Sequence, residues 1–231
     1  EIEETYNTTI GIIDMKAMDI SSGFIRTHSH EEIKKAVPES VYKYIIDNDL
    51  YTDTNVNRAW SINKITQDLE KELKPSRYTH TLNVAKTAKN MAEAFNVNPN
   101  KAYFAGILHD CAKNFSDQKL LQICKDNNLP INVFEERNPS LLHGKVGAFM
   151  AKNKYGITDE EILSAITWHT TGKDNMTDLE KIVFCADYIE PGRTKQPHLE
   201  ELRSIALSDL DMLTFRILED TVEYLKAKSL D

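Results

Sequence analysis

A chain of 231 residues, 41% hydrophobic and 28% charged, has the length for one sizeable domain plus an appendage and the composition of an ordinary globular protein. A formal net charge of −8 argues against nucleic acid as the main partner, and no run of about 18 apolar residues exists to span a membrane. Three cysteines (Cys111, Cys124 and Cys185) are too few and too scattered for a disulfide framework, and Cys111 lacks a C-x-x-C partner for a thiolate metal site. Glu1-Ile2-Glu3-Glu4 is unlike a signal peptide, so reduced thiols and a cytoplasmic location are expected.

In chain order, Thr8 to Ile13 is short and β-rich and predicts a strand or extended segment. A polar patch follows. Val37 to Tyr51 then predicts a helix with Pro38 in its first turn, an apolar stripe of Val41, Tyr44 and Ile45, and a close at Asp47-Asn48-Asp49. Residues 1–56 are too few to fold alone with confidence in their core, and are read as a mixed appendage; residues 57–231 are read as an all-α domain. Within it, Trp60, Ile62, Ile65 and Leu69 begin a helix that Pro75 ends. Ser76 is placed to cap the next, with His80, Val84, Ala88 and Met91 on one face. Asn98-Pro99 opens a helix whose small-residue face, Ala102 and Ala105, leads to His109 and Asp110. Ser116 to Asn128 is amphipathic, and 130–139 reads as loop. A helix from Ser140 carries His143, Gly147 and Met150 inward and stops at Gly156. Thr158 to Glu161 and Thr177 to Glu180 read as capping boxes, the first opening a helix to His169 and the second a helix to Asp187 that Pro191-Gly192 terminates. Helices at 198–207 and 209–228 close the chain.

His80, His109, His143, His169 and Asp187 each continue an apolar stripe. A single core histidine usually bonds a backbone carbonyl, but five such groups on five helices would each need a separate buried partner. A shared metal centre satisfies all of them, with Asp110 beside His109. His28, His30 and His198 lie in polar stretches and read as solvent-facing. Imidazoles and carboxylates without thiolates point to iron, manganese or another borderline divalent ion rather than structural zinc. Six ligands exceed what one open ion needs, so two divalent metal ions sharing Asp110 is the economical arrangement. Such a pair suits hydrolysis of phosphate esters and anhydrides, or oxygen activation; spacing leaves both open.

Two resemblances sharpen this reading. Asp19-Ile20-Ser21-Ser22-Gly23-Phe24-Ile25-Arg26, with Val37 to Val41, Tyr44-Ile45 and Leu50-Tyr51, resembles the C-terminal end of nicotinate-mononucleotide adenylyltransferases. Gly23 stands where that family has threonine, and no H-x-G-H motif occurs, so the resemblance implies an adenylyltransferase tail without transferase activity. Arg77 to Thr81, Leu108 to Lys113, Leu142-His143-Gly144, His169 to Gly172 and Ala186 to Arg193 together resemble the HD-domain symmetrical dinucleoside tetraphosphatases (YqeK-type). That resemblance implies an HD-domain helical bundle that cuts diadenosine tetraphosphate into two ADP, the attack coming from a hydroxide between two metals, with iron as the expected metal. It places one ion on His80, His109, Asp110 and Asp187, and the second on Asp110, His143 and His169. It also implies Lys113, Arg77 and Arg193 as phosphate-neutralising cations, Lys113 with a catalytic part beside Asp110. Thr170, Thr171 and Lys173 (where relatives often have Arg) are further candidates for substrate contact. Partner expectations are a dinucleoside polyphosphate substrate, a homodimer, and a fused or associated nicotinate-nucleotide adenylyltransferase. Two alternatives share the same residues: hydrolysis of another nucleotide or an alarmone, and nucleotide binding without turnover.

Overall fold

Side-chain caps set six of the twelve α-helix starts among the described residues. The structure is a computed structural model that describes residues 20, 24–25, 30–47 and 62–228. No β-strand occurs among the described residues, and no helix there is long and apolar enough to cross a membrane. The predicted strand at Thr8 to Ile13, the segment 48–61 and most of the Asp19–Arg26 motif lie outside the described residues.

Helices α1 (His30–Ala36) and α2 (Glu39–Asp47) occupy the N-terminal part, α1 falling within the stretch read above as a polar patch. Ile33, Val37 and Ile45 form a small cluster with Ile20, Ile25 and Tyr42 against it. The expected stripe is corrected here: Val41 and Tyr44 are exposed and only Ile45 is buried. Pro38 stands directly before α2, close to the first-turn position expected for it, because its fixed φ suits a helix start and its ring cannot continue α1.

The larger unit is α3 (Ile62–Glu72), α4 (Pro75–Ala94), α5 (Pro99–Leu108), α6 (Asp117–Asp126), α7 (Val133–Arg137), α8 (His143–Asn153), α9 (Glu160–Trp168), α10 (Asp178–Ile189), α11 (Leu199–Ile205) and α12 (Leu210–Ala227). Pro75 opens α4 at its first turn instead of ending α3, so Lys74, not Ser76, is the cap residue. Asn98 caps α5 by accepting from the backbone of Asn100 and Lys101, and Ser116 caps α6. Asp159, not Thr158, caps α9, its carboxylate being free to reach both Glu161 and Ile162 backbone N–H groups. Thr177 and Glu180 form the expected capping box of α10. The 130–139 segment holds α7, opened by a capping box of Asn132 and Glu135; five residues are too short for periodicity to reveal.

The core runs from Leu69 through Val84, Ala88, Leu108, Ile166 and Val183 to Ile217, and a satellite cluster of Leu120, Cys124, Leu142 and Val146 sits under α6. The small face of α5 lets two backbones meet: a Cβ on Gly106 would lie 2.7 Å from the Cα of Ala85 in α4. Tyr155 is fully buried, and its hydroxyl donates to Asp68 of α3 at 2.8 Å. The three cysteines are buried and unpaired. Burial pushes the Cys111 and Cys185 thiols up to about 12, so neither is a ready thiolate.

Candidate metal centre

Three of the four imidazoles sit at helix ends rather than along helix faces. His109 is the residue after α5, His169 the residue after α9, and His143 begins α8 directly after the 3₁₀ turn Pro139–Leu142. The last carbonyls of a helix have no partner within it. Each of these histidines supplies one: Nδ1–H donates to the carbonyl three residues earlier, Gly106 at 2.7 Å, Ile166 at 2.7 Å and Ser140 at 2.6 Å. His80, in the second turn of α4, instead donates Nδ1–H to the carboxylate of Glu190 at 3.0 Å. With every Nδ1 facing an acceptor, that nitrogen carries the proton and each Nε2 presents a lone pair.

Those lone pairs converge on Asp110. Its Oδ2 lies 3.4 Å from His109 Nε2 and 3.8 Å from His80 Nε2; its Oδ1 lies 3.4 Å from His143 Nε2 and 3.6 Å from His169 Nε2. Asp187, in the last turn of α10, comes within 3.0 Å of His80 Nε2 and 3.9 Å of His109 Nε2. Three overlapping triads have donor atoms within 4.8 Å of one another: His80, His109 and Asp110; His109, His169 and Asp187; Asp110, His143 and His169. The Nε2 atoms of His143 and His169 stand 3.1 Å apart, two acceptors facing each other, a contact that a cation relieves. His80 Nε2, His109 Nε2 and Asp110 Oδ1 are buried without a hydrogen-bond partner. In a fold where buried polar groups are normally paired, these orphans fit metal ligands.

Electrostatics agree. Burial alone would raise the Asp110 carboxyl, but the ring of His109, His143 and His169 holds it well below the usual carboxylate range. Asp187 is likewise lowered, its burial outweighed by the His80 ring against it and by the nearness of His109. Burial lowers His143, so its ring favours the neutral, ligating form. Burial also lowers Lys113, against the opposing pull of Asp110 and Asp187.

The candidate substrate residues divide. Lys113 places Nζ 3.0 Å from His143 Nε2. Arg77 donates to Asp110 Oδ2 at 2.7 Å, and Arg193 donates to Asp187 Oδ1 and to the Asp187 carbonyl. The Thr170 hydroxyl is 3.1 Å from His143 Nε2. Thr171 instead donates to the Gly172 carbonyl, and Lys173 pairs with Glu180 of the α10 capping box at 2.7 Å. That pairing ties Lys173 to a helix start, where it adds to the Ser164 hydroxyl and Thr177 N–H bonds that already hold the Glu180 carboxylate. His198 is largely exposed and bonds Asp220, His28 lies outside the described residues, and His30 is placed only as the first residue of α1. Beside the cluster, a cleft of about 410 Å³ is lined by Arg77, His80, Asn83, Glu190, Gly192 and Arg193 among others. Glu190 and Asn83 are absent from the sequence expectation. A signal for Glu190 exists: an acid at the C-terminus of a helix opposes the helix dipole and needs another reason to be there.

The HD domain family model matches residues 77–192, which include all six of these candidate ligands. This chain belongs to the HD-domain family. It is 37% identical over 161 residues to a symmetrical bis(5′-nucleosyl)-tetraphosphatase of Bacillus subtilis (strain 168), covering 70% of this chain and 86% of the relative. A crystal structure from Clostridium acetobutylicum, described as a predicted HD superfamily hydrolase involved in NAD metabolism, is similar at 41% identity and a TM-score of 0.71, over 74% of this chain and 89% of that one. A Mycoplasma genitalium protein named for both nicotinate-nucleotide adenylyltransferase and Ap4A hydrolase is 28% identical over 198 residues, which cover 82% of this HD-domain chain but 52% of the relative.

Proposed function

We propose that this HD-domain hydrolase is a metal-dependent symmetrical dinucleoside tetraphosphatase, converting diadenosine tetraphosphate to two ADP. One observation carries the metal part of the reading: the two oxygens of Asp110 face opposite groups of imidazole lone pairs, the disposition a carboxylate shared by two ions requires. In this reading His80, His109, Asp110 and Asp187 hold one divalent ion, and Asp110, His143 and His169 hold the other. The nitrogen-and-oxygen donor set suits iron, the proposed metal, or manganese or another borderline divalent ion. When bound, the ions supply a water acidic enough to attack at neutral pH and positive charge for phosphoryl oxygens.

The chain's own residues do the rest. Asp110 and Asp187 stay ionised throughout the working pH range because the imidazoles hold them low. The half-buried Lys113 ammonium beside His143 stabilises charge that develops on the leaving phosphate. Arg77 and Arg193 border the adjoining cleft with two guanidiniums, and a planar guanidinium grips phosphate oxygens in pairs. A cleft of this volume is in the range that holds a nucleotide-sized group. In this reading the Thr170 hydroxyl beside His143 donates to a phosphate oxygen, and Lys173, paired with Glu180, supports the α10 start. Similarity to the tetraphosphatase relative supports the substrate class.

Incubating metal-loaded protein with diadenosine tetraphosphate and separating the products tests this. Two ADP supports the reading; ATP with AMP, or free phosphate, overturns symmetric cleavage, and tight binding without products overturns catalysis.

Residues 1–56 are proposed to be an adenylyltransferase-like tail, with 57–231 as the hydrolase domain. The Mycoplasma genitalium match supports this, because it covers more of the chain than residues 57–231 supply alone.

A further inference from the structure

Among the described residues, Glu190 is the one buried acid at the centre that is not among the proposed ligands. It is 2% exposed and ends α10, where its Oε1 accepts from His80 Nδ1–H at 3.0 Å. Its Oε2 accepts from Asn83 Nδ2 at 2.9 Å and from the Gly192 backbone N–H at 2.6 Å. Three donors thus converge on two oxygens, and only a carboxylate has acceptors on both sides to meet them. Burial would raise this acid; the bonds from His80, Gly192 and Asn83 outweigh that and lower it. The approach is close: a Cβ at 192 would stand 3.0 Å from both carboxylate oxygens, a contact that glycine avoids. Arg203 holds the same turn from outside, donating to the carbonyls of Ile189, Glu190 and Arg193.

We propose that Glu190 is a positioning residue. Its carboxylate fixes the His80 ring with the proton on Nδ1 and the lone pair of Nε2 toward Asp187 and Asp110, and it locks the 190–193 turn that carries Arg193. The inference rests on the metal-centre reading above. His109, His143 and His169 take their aim from backbone carbonyls, so Glu190 governs one metal position and leaves the other intact. One carboxylate therefore ties a metal ligand on α4 to a phosphate-facing arginine after α10.

The test needs no substrate, so it stands or falls separately from the hydrolysis assay. Full-length protein is stripped with chelator and titrated with Co(II), and the His80 ring is observed by long-range nitrogen–proton correlation before metal is added. Wild type is expected to bind two ions and to show the His80 proton on Nδ1. Glu190→Gln places an amide donor against either His80 or the Gly192 N–H. It is expected to shift the proton toward Nε2 and to weaken one Co(II) site about 10–100-fold, the usual loss for such an outer partner, with the second site unchanged. Two unchanged sites with a wild-type tautomer overturn the proposal, as does equal loss of both ions. Should Glu190→Gln fail to fold, Glu190→Asp keeps the charge but falls one methylene short of His80. Selective weakening of one site supports the proposal, and wild-type Co(II) affinity at both overturns it.

Discussion

Three of the four central imidazoles are aimed by backbone within their own turn, and the fourth by a side chain 110 positions away. The first kind of aim is local: the carbonyl that orients His109, His143 or His169 arrives with the helix end that carries the histidine. The second kind exists only after α10 has docked against α4. The contrast shows how one centre combines a part built by secondary structure with a part built by packing. It also says where each part is vulnerable.

Asp110 joins both parts, so Asp110→Ala is expected to have the largest effect. Both ions should be lost, and hydrolysis should fall by more than about 10³-fold, the upper scale for removing one electrostatic contact at an active site. Metal analysis of the purified variant checks this, and retention of two ions with normal turnover would show that the carboxylate is not shared. Lys113→Ala touches only the His143 side. It should keep both ions while kcat falls about 10²-fold; loss of metal alongside activity would mean that Lys113 shapes the site rather than the reaction.

Gly106→Ala probes the junction between the two parts. Its Cβ would collide with the backbone of Ala85, forcing α4 from α5 at a cost of about 1–3 kcal/mol, to be read in thermal or denaturant unfolding. His80 rides on α4 and His109 follows α5, so the variant should also weaken metal binding more than its stability loss alone explains.

Acidity tests the locally aimed part. Burial places the His143 pKa below its ordinary value, so between the ordinary imidazole value and the lowered one the unfolded chain holds the extra proton. Stability of the metal-free protein should therefore be full above about pH 6.5 and decline as pH falls through that value. Asp110 adds no loss there, because its lowered value reserves its contribution for more acidic conditions. A His143→Ala variant should show a shallower slope of melting temperature against pH over the same window. The smallest effect belongs to Lys173→Ala: its partly exposed pair with Glu180 caps α10 at a distance from the chemistry. Stability should drop by less than about 1 kcal/mol with kcat/KM unchanged; a drop in kcat/KM would return Lys173 to the substrate site.

Much of this was legible in the residues. Apolar spacing located most helices of 62–228, and Thr177 with Glu180 marked the start of α10 because a capping box is a purely local device. Five of the six candidate ligands were visible as polar groups out of place in apolar stripes, and Asp110 as the acid beside His109. Pro75 misled, since proline closes one helix and opens another with equal ease and only the neighbouring chain decides. Val41 and Tyr44 misled for a related reason: an apolar stripe says that a face can be buried, and here both side chains are exposed. Glu190 was hidden because its donors come from Asn83 and His80, two turns of another helix.

The sequence by itself determined an all-helical domain over the described residues 62–228 and the residue types at its centre, because periodicity, caps and residue type act over a few positions. Tertiary structure alone decided that His109 and His169 stand at helix ends, that the oxygens of Asp110 divide the imidazoles between them, and that Lys173 belongs to Glu180. Those facts depend on which helix ends meet, and helix packing is settled by shape complementarity between segments far apart in the chain, as where Gly106 admits the backbone of Ala85.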